Sequence, residues 1–425
     1  MSADGGQTAS ASDQFVSGET ENDNGSKREW DVHWNRGIRY SLKRDVLVPW
    51  RYGTVYQYEE MQLAGKVGAR FHIDSATYSE HSLEGVSDET DLRRGRIYTQ
   101  GNLVAWYPVE YKLEFGFVED DFFFNDNYWW WKEIPFVGSI KLGYIKFPVG
   151  LERTESSRDL VFMERAAPVN ALAPNFSFGV QFGAPALNDR MTWHLGWYGA
   201  GEDDPELGGT TSSLTRTGFR LTGLPILDEA GEDGTSLLHL GLGLGAALSF
   251  DDELRMSARP ESFFAPSYIN TGDFDADDAY LIGVELAGVK GPYSFQGEYL
   301  FSSVGSENFG RLGFSGFYLY GSWFPTGEHR QYNKERGVFT QVVPKNPFSV
   351  KGGGWGGLEL GLRYSFIELN DDKIRGGEMH TIMTGVNWYI DRSVRLRFNY
   401  GLASVDNSND TGWLQILQGR LQLDF

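Results

Sequence analysis

The chain ends with "WLQILQGRLQLDF" (residues 413–425), in which the two alternating sets of positions have different character. One set is mostly apolar and the other mostly polar; the members of the first are Trp413, Gln415, Leu417, Gly419, Leu421, Leu423 and Phe425. Successive side chains of a β-strand point to opposite faces, so this alternation predicts a strand with different surroundings on its two faces. The strand could belong to a soluble sheet with one wet face, or to a barrel wall with lipid outside and water inside.

Similar segments of roughly ten residues recur from residue 61 onward, separated by turn-rich stretches. We predict sixteen strands, at 61–75, 91–103, 105–119, 125–133, 138–147, 176–184, 190–199, 214–224, 236–251, 279–289, 291–303, 312–325, 355–368, 378–390, 393–402 and 413–425. An even number returns the chain to its starting side, as in outer-membrane barrels. A soluble β-sandwich would rarely place Tyr and Phe at every outward position of consecutive strands. The predicted fold class is therefore all-β, a transmembrane antiparallel β-barrel of about 16 strands with inward-folded loops.

Composition agrees with a barrel. Aromatic residues make up 15% of the chain and Gly accounts for 53 residues, which suits sheets with aromatic rims. No apolar stretch approaches the ~18 residues of a spanning helix, which a closed barrel does not need. The chain has no Cys, so disulfides, thiolate catalysis and Cys-ligated metal sites are excluded. The opening "MSADGGQTASASDQ" has no apolar core and does not predict an export signal.

The net charge of −20 is unevenly distributed. Acidic residues concentrate in predicted loops, and the predicted strands are mildly basic; the acidic segments are 1–35, 76–90, 119–126, 200–213, 225–235 and 251–278. Acidic loops can simply keep a surface soluble, so this distribution alone does not identify a partner.

The chain divides into three predicted regions. Residues 1–30 are rich in Ser, Gly and acids, and we expect a disordered N-terminal segment. Residues 31–60 are expected to form a periplasmic N-terminal extension, and 61–425 the transmembrane β-barrel. The segments 225–235 and 326–354 are long for turns, and loops of that length are usually functional or disordered.

One stretch has a family resemblance: "GSIKLGYIKFPVGLERTESSRDLVFMERAAPVNALAPNFSFGVQF" (138–182) resembles the phosphate-selective porin O and P family. Three further segments agree with it: "FPTGEHRQYNKERGVFTQVVPKNPF" (324–348), "GGLELGLRYSFIELND" (356–371) and "GVNWYIDRSVRLRFNY" (385–400). The resemblance covers about 61–425 and implies a sixteen-stranded trimeric barrel. It also implies that the terminal Phe425 is read during assembly in the outer membrane.

The loop 148–175 is too long for a hairpin and its prolines prevent one continuous strand or helix, so it can fold into the lumen and narrow it; the resemblance implies that it forms the constriction. The resemblance implies an anion site formed by Arg153, Ser156, Ser157 and Arg165. Arg offers a planar fork of donors that suits phosphate oxygens, and Ser adds neutral donors. Four acids alternate with these bases, at Glu152, Glu155, Asp159 and Glu164, so the alternative is an internally salt-bridged plug.

Further pore-lining bases are predicted outside that group. The resemblance implies Lys66, Arg93, Arg94, Arg255 and Arg259, and Arg158 is a base of the loop itself. Solvated loop arginines remain the alternative for Arg255 and Arg259. Arg96 and Lys146 are basic where the family pattern suggests less basic residues, so they either make the constriction more positive or snorkel to the interface.

The predicted function is an outer-membrane porin that passes anions, phosphate or related oxyanions by resemblance, passively through a basic constriction. The alternative is a general or organic-anion diffusion porin without phosphate specificity. We expect no enzyme activity and no cofactor. A barrel lipase would need a Ser–His pair on the lipid face; His194 and His239 fall within predicted strands, but the sequence does not place a Ser beside either. Expected partners are inorganic or organic anions, membrane lipid and two further copies in a homotrimer, without nucleic acid. The expected location is the bacterial outer membrane, where the acidic N-terminus could also anchor the envelope.

Overall fold

The computed structural model describes residues 16–21, 27–34, 38–49, 56–79, 83, 85–104, 107–118, 121–199, 211–229, 235–371, 373–408 and 411–425. Sixteen antiparallel strands form a closed barrel. The last strand closes it by pairing with the first, with Gln418 opposite Ala76. The all-β prediction and the predicted strand number are confirmed. Among the described residues, no helix is long and apolar enough to cross a membrane.

The barrel strands correspond one to one to the predicted segments, with ends that differ by several residues. They are Tyr56–Ser79, Glu89–Val104, Val109–Val118, Asn127–Ile134, Gly138–Lys146, Phe176–Ala186, Met191–Gly199, Thr211–Asp228, Ser236–Leu254, Asp278–Lys290, Tyr293–Ser306, Gly310–Trp323, Gly357–Asp371, Ile374–Tyr389, Val394–Asp406 and Thr411–Asp424. Short elements accompany them: strands Asp121–Phe124 and Phe274–Asp275, the paired strands Ser257–Ala258 and Ile269–Asn270, the paired strands Gln331–Asn333 and Val338–Thr340, and helices Leu151–Thr154 and Ala167–Leu172.

The alternation of the final stretch distinguishes the outer wall from the lumen. Trp413 and Leu417 are exposed on the outer face, whereas Gln418 and Arg420 are buried inside the barrel. The hydrogen-bonded wall satisfies the strand backbones, so apolar side chains can face lipid. The assignment of Arg420 to the lumen is confirmed by its buried contacts with Asp74 at 2.6 Å.

We call the end of the barrel that carries Phe425 the lower end. Most lower-end connections are short, at 105–108, 135–137, 187–190, 291–292 and 390–393. The long connections 147–175 and 255–277 are at the opposite, upper end, an asymmetry typical of outer-membrane barrels. The exception at the lower end is the long connection 324–356.

The N-terminal region differs from its predicted description. Strands Val16–Glu21, Lys27–Trp34 and Ile38–Pro49 form an antiparallel meander that continues onto strand Tyr56–Ser79. Strands therefore occupy 16–21 and 27–30, where disorder was expected, because pairing partners further along the chain supply the backbone hydrogen bonds that composition does not reveal. The rest of 1–30, at 1–15 and 22–26, and the parts 35–37 and 50–55 of the extension lie outside the described residues.

Two connections fill the lumen from opposite ends. The constriction loop, residues 147–175, carries both short helices, and many of its side chains are buried inside the barrel, among them Phe162, Met163 and Val169. The inner hairpin, residues 330–340, is the first part of the lower-end connection and reaches the constriction loop. The inward folding of loops is thus observed, and the segment 326–354 is ordered.

Candidate functional site

The first turn of the constriction loop is fixed by a carboxylate of the barrel wall. Glu298 accepts hydrogen bonds from the backbone N–H groups of Leu151 and Glu152, both at 2.7 Å, and from the Tyr318 hydroxyl. Gly150 precedes this turn with φ of 89°, and a Cβ there would lie 3.0 Å from the Glu298 carboxylate. Glycine is suited to this position because both the backbone angle and the close approach disfavour a side chain.

The opposite edge of the constriction loop is held by arginines from distant strands. Arg420 donates to the carbonyl oxygen of Met163 at 2.7 Å. Arg395 and Arg397 both donate to the carbonyl oxygen of Leu160, at 3.1 and 3.0 Å. These bonds satisfy loop carbonyls that are buried in the lumen and would otherwise be costly. Several lumen-facing arginines therefore serve to position the loop.

The predicted bases Arg93 and Arg94 converge on an acid of the constriction loop. Arg93 donates two hydrogen bonds to Glu164, at 3.1 and 3.0 Å, and Arg94 lies 3.5 Å from the same carboxylate. Arg420 also donates to it at 2.7 Å. Although burial alone would raise the pKa of Glu164, the surrounding arginines hold this pKa well below its usual range. Two of the predicted pore-lining bases are thus neutralised by an acid of the loop, and this pairing joins the loop to the barrel wall instead of lying within the loop.

The two loop arginines implied by the resemblance have different surroundings. Arg165 lines a cavity, while its guanidinium donates to the carbonyl oxygens of Glu152 at 2.8 Å and Glu155 at 2.9 Å. Arg153 is fully buried within the loop, where it donates to the carbonyl oxygen of Val169 at 2.5 Å, and it does not line that cavity. In this structure Arg153 contributes to the scaffold of the loop.

A buried ion pair joins the constriction loop to the inner hairpin. Arg330 donates to Glu155 at 3.1 Å, and to Gln296 and Tyr320 at 2.8 and 2.7 Å. Burial raises the pKa of Glu155 to about 7, and Arg330 opposes this rise. Two loops from opposite ends of the barrel are therefore in direct contact.

Between the loops and the wall lies a cavity of about 260 Å³. Nine of its lining residues are Arg or Lys, and three are acidic: Arg70, Arg96, Lys112, Lys141, Lys146, Arg158, Arg165, Arg220 and Arg336, with Glu114, Asp126 and Asp159. Both Arg96 and Lys146 thus face the lumen. Five of the bases have carboxylate partners within 4.0 Å: Arg70, Arg96 and Lys112 with Glu114, Arg158 with Asp159, and Arg220 with Glu285.

Four lining bases have no carboxylate within ion-pair distance among the described residues: Lys141, Lys146, Arg165 and Arg336. Lys146 donates to the carbonyl oxygen of Glu155 at 2.5 Å. Lys141 lies 4.3 Å from the centre of the Trp130 ring, whose face favours a cation. The cavity consequently carries an excess of positive charge, which attracts anions.

The other predicted site residues fall into two groups. Ser156 and Ser157 line the cavity, and Ser157 accepts a hydrogen bond from Arg70 at 3.4 Å. Lys66, Arg255 and Arg259 do not line it: Lys66 is 5.9 Å from the Tyr98 ring, Arg255 pairs with Asp273 on the surface, and Arg259 is 5.0 Å from the Phe263 ring.

Sequence reasoning missed the contribution of the inner hairpin. Arg336 lines the cavity and donates to the Tyr128 hydroxyl at 3.2 Å. The available signal was a lower-end connection too long for a turn that contains Arg330 and Arg336. Of the histidines considered for a barrel lipase, His194 lines the cavity and His239 is buried 3.0 Å from Glu285, so both lie in the lumen. Neither occupies the lipid face that a barrel lipase would require.

Comparisons with known proteins agree with this architecture. A family model described as phosphate-selective porin O and P matches residues 66–425. Porin O of Pseudomonas aeruginosa is 23% identical over 413 residues, covering 87% of this chain and 89% of that protein. A protein of Caulobacter vibrioides is 26% identical over 360 residues, covering 80% of this chain and 69% of that protein.

Solved porins share the fold at low sequence identity. OmpF of Salmonella typhi, solved with daunomycin, has a TM-score of 0.54 at 10% identity and covers 85% of this chain and 98% of its own. An anion-selective porin from Comamonas acidovorans has a TM-score of 0.50 at 12% identity, with 85% and 99% covered. Because the family model spans most of the sequence and the sixteen-stranded barrel surrounds a basic cavity, the chain belongs to the phosphate-selective porin O and P family, as an anion-passing porin of the bacterial outer membrane.

Proposed function

We propose that this porin prefers phosphate and related oxyanions. The observation that carries the proposal is the set of four cavity-lining bases without carboxylate partners among the described residues, Lys141, Lys146, Arg165 and Arg336. Arg165 can present donors to phosphate oxygens, and the Ser156 and Ser157 hydroxyls add neutral donors at the same wall.

Passage is passive and follows from electrostatics. An anion loses hydration as it enters the lumen, and the excess positive charge compensates that loss in surroundings of low dielectric constant. The salt-bridged bases beside Glu114 offer weaker attraction than the four bases that lack a carboxylate partner within the described part of the chain. Binding strong enough to admit the ion and weak enough to release it is what conduction requires.

The test is single-channel conductance in potassium chloride with added phosphate. We expect chloride current to be blocked at micromolar phosphate, and Arg165→Gln and Lys146→Gln to weaken the block. Arg255→Gln is the matched control, because Arg255 is exposed and outside the cavity. Block that is unchanged in both cavity variants would refute the site, and cation preference in reversal potentials would refute anion selectivity itself.

Organic anions are the second candidate, and one observation favours them. Aromatic side chains share the cavity wall with the bases, namely Tyr98, Tyr128, Phe176 and Phe339. An anion with an apolar part would gain contact area there. Block by a sugar phosphate or an aromatic carboxylate at lower concentration than by phosphate would favour this function.

We further propose a homotrimer, as the resemblance implies; OmpT of Vibrio cholerae, a solved porin of this fold with a TM-score of 0.50, is described in a trimer form. The outer wall offers an exposed aromatic cluster, in which the rings of Phe115 and Phe122 stack at 5.5 Å. Light scattering in detergent should give about three times the chain mass of 47.8 kDa. A single-chain mass in mild detergents would refute the trimer.

A further inference from the structure

Residues 344–356, which we call the interfacial segment, form the second part of the long lower-end connection and lie against the outer wall of the barrel. The backbone N–H of Phe348 donates to the carbonyl oxygen of Ile390 at 2.7 Å, and the Trp388 indole donates to the carbonyl oxygen of Trp355 at 2.7 Å. The Phe348 ring meets Trp388 edge to face at 5.6 Å. Trp388 has the same strand parity as Val386, which is exposed on the outer face. The segment therefore adjoins the apolar wall.

Internal hydrogen bonds hold the interfacial segment although its apolar side chains are exposed. It is closed by a hydrogen bond from the N–H of Gly356 to the carbonyl oxygen of Asn346 at 2.9 Å, and inside it Ser349 donates to Gly354 at 3.0 Å. Large apolar groups nevertheless project outward, with Val350 89%, Trp355 77% and Phe348 40% exposed. A fixed loop that presents such a patch marks an interaction surface.

The height of the segment matches the edge of the bilayer. On the outer face, Tyr293 and Trp323 stack at 6.2 Å at the lower ends of neighbouring strands, near the level of Trp388. Aromatic side chains at strand ends mark the level of lipid headgroups. Lys351 is exposed within the segment, where its ammonium can reach headgroup phosphates.

Outer-membrane barrels have their short turns at the periplasmic end, which corresponds to the lower end here. We propose that the interfacial segment is a lipid-binding foot on the periplasmic leaflet of the outer membrane. Phe348, Val350 and Trp355 insert among phospholipid chains, and Lys351 contacts the headgroup phosphates. The occupant is phospholipid because the patch continues the lipid-facing wall through Trp388. The inner hairpin, which lines the cavity, belongs to the same lower-end connection as the foot. Lipid binding by the foot therefore attaches the inner hairpin to the membrane. The proposal is independent of which anion the pore prefers.

Site-directed labelling tests this directly, since the chain has no Cys and an introduced Cys is unique. Val350→Cys carrying an environment-sensitive fluorophore is reconstituted in phosphatidylethanolamine vesicles that contain phosphatidylglycerol and nitroxide-labelled lipid. Gln331→Cys is the matched control, because Gln331 is exposed at the start of the inner hairpin. We expect several-fold stronger quenching by the lipid nitroxide at position 350 than at position 331. Equal quenching at both positions would refute lipid binding by the foot. A probe at position 350 that is shielded from water but not quenched by lipid would also refute it, because this result would indicate contact with a neighbouring subunit.

The headgroup contact has its own test. With the probe at position 350, quenching by nitroxide-labelled phosphatidylglycerol should exceed quenching by labelled phosphatidylcholine about two-fold, and Lys351→Gln should remove the difference. A preference that persists in Lys351→Gln would overturn the role of Lys351.

Discussion

Removal of the Arg336 charge provides a sharp test of the cavity, because this side chain comes from the inner hairpin and has no carboxylate partner among the described residues. A sphere of 260 Å³ has a radius of roughly 4 Å, so a lining charge lies about 5 Å from an anion at its centre. Coulomb's law then gives about 1 kcal/mol in water and about 3 kcal/mol at an effective dielectric constant of 20.

We therefore expect Arg336→Gln to weaken phosphate binding by roughly 5- to 150-fold, since 1.4 kcal/mol is a factor of ten. The assay is the concentration of phosphate that halves the single-channel chloride current. Gln keeps donors for the Tyr128 hydroxyl, so the hairpin should remain folded. Heat-modifiable mobility on gels checks barrel assembly in each preparation.

Arg375→Gln is the matched control, because Arg375 is an exposed base at the upper end of strand Ile374–Tyr389, outside this cavity, and the charge change is the same. Its half-blocking concentration should stay within about two-fold of that of the unmodified protein, because salt screens the charge of an exposed side chain. Equal effects of both substitutions would show that overall charge, and not the cavity, sets anion binding.

Three further predictions concern the supports of the site. Because burial raises the pKa of Glu155 to about 7, protonation below that pH leaves Arg330 without its partner charge, so anion conductance should rise on acidification and should lose this step in Glu155→Gln. Because this carboxyl pKa is raised, the contribution of Glu155 to stability is complete below its ordinary pKa of 4.5 and is lost as pH rises through 7. The melting temperature of the unmodified protein should therefore fall between pH 4.5 and 7, and that of Glu155→Gln should fall less. Gly150→Ala, with φ of 89° and a Cβ 3.0 Å from Glu298, should cost about 1–2 kcal/mol and widen the pore; unchanged conductance would contradict the tight turn. Tyr98→Phe removes the 2.6 Å hydrogen bond to the Phe425 carbonyl and should lower stability by about 1 kcal/mol, as measured by thermal unfolding in detergent. An unchanged unfolding midpoint would show that this bond does not stabilise the closure of the barrel.

Alternation along the chain was sufficient to predict the wall. The assignment of Arg420 to the lumen needed only its position between Gly419 and Leu421, because strand parity is a local property. The number of strands could be predicted from the same rule. The ends of the strands could not, because they depend on how far the pairing between neighbouring strands extends at each rim of the barrel. Long turns were recognisable as unusual, but length alone does not say whether a loop folds inward or outward.

The site was harder to predict because its contacts join residues far apart in sequence. Ser156, Ser157 and Arg165 line the cavity as the resemblance implied, and their roles in anion binding stay predictions. The pairing of Arg93 with Glu164 across 71 positions, and of Arg330 with Glu155 across 175, is set by how the loops fold in three dimensions. Without those pairs, no sequence pattern separates neutralised bases from unpaired ones.

The anchoring of the constriction loop also sets an order of assembly. Its carbonyl groups are held by Arg363, Arg395 and Arg420, which follow it by 199, 235 and 257 positions along the chain. The loop can therefore reach its final position only after the last strands have joined the sheet, because contacts of such long range are slow to form. Because the constriction depends on these late contacts, the narrow part of the pore takes its final shape only when the barrel closes.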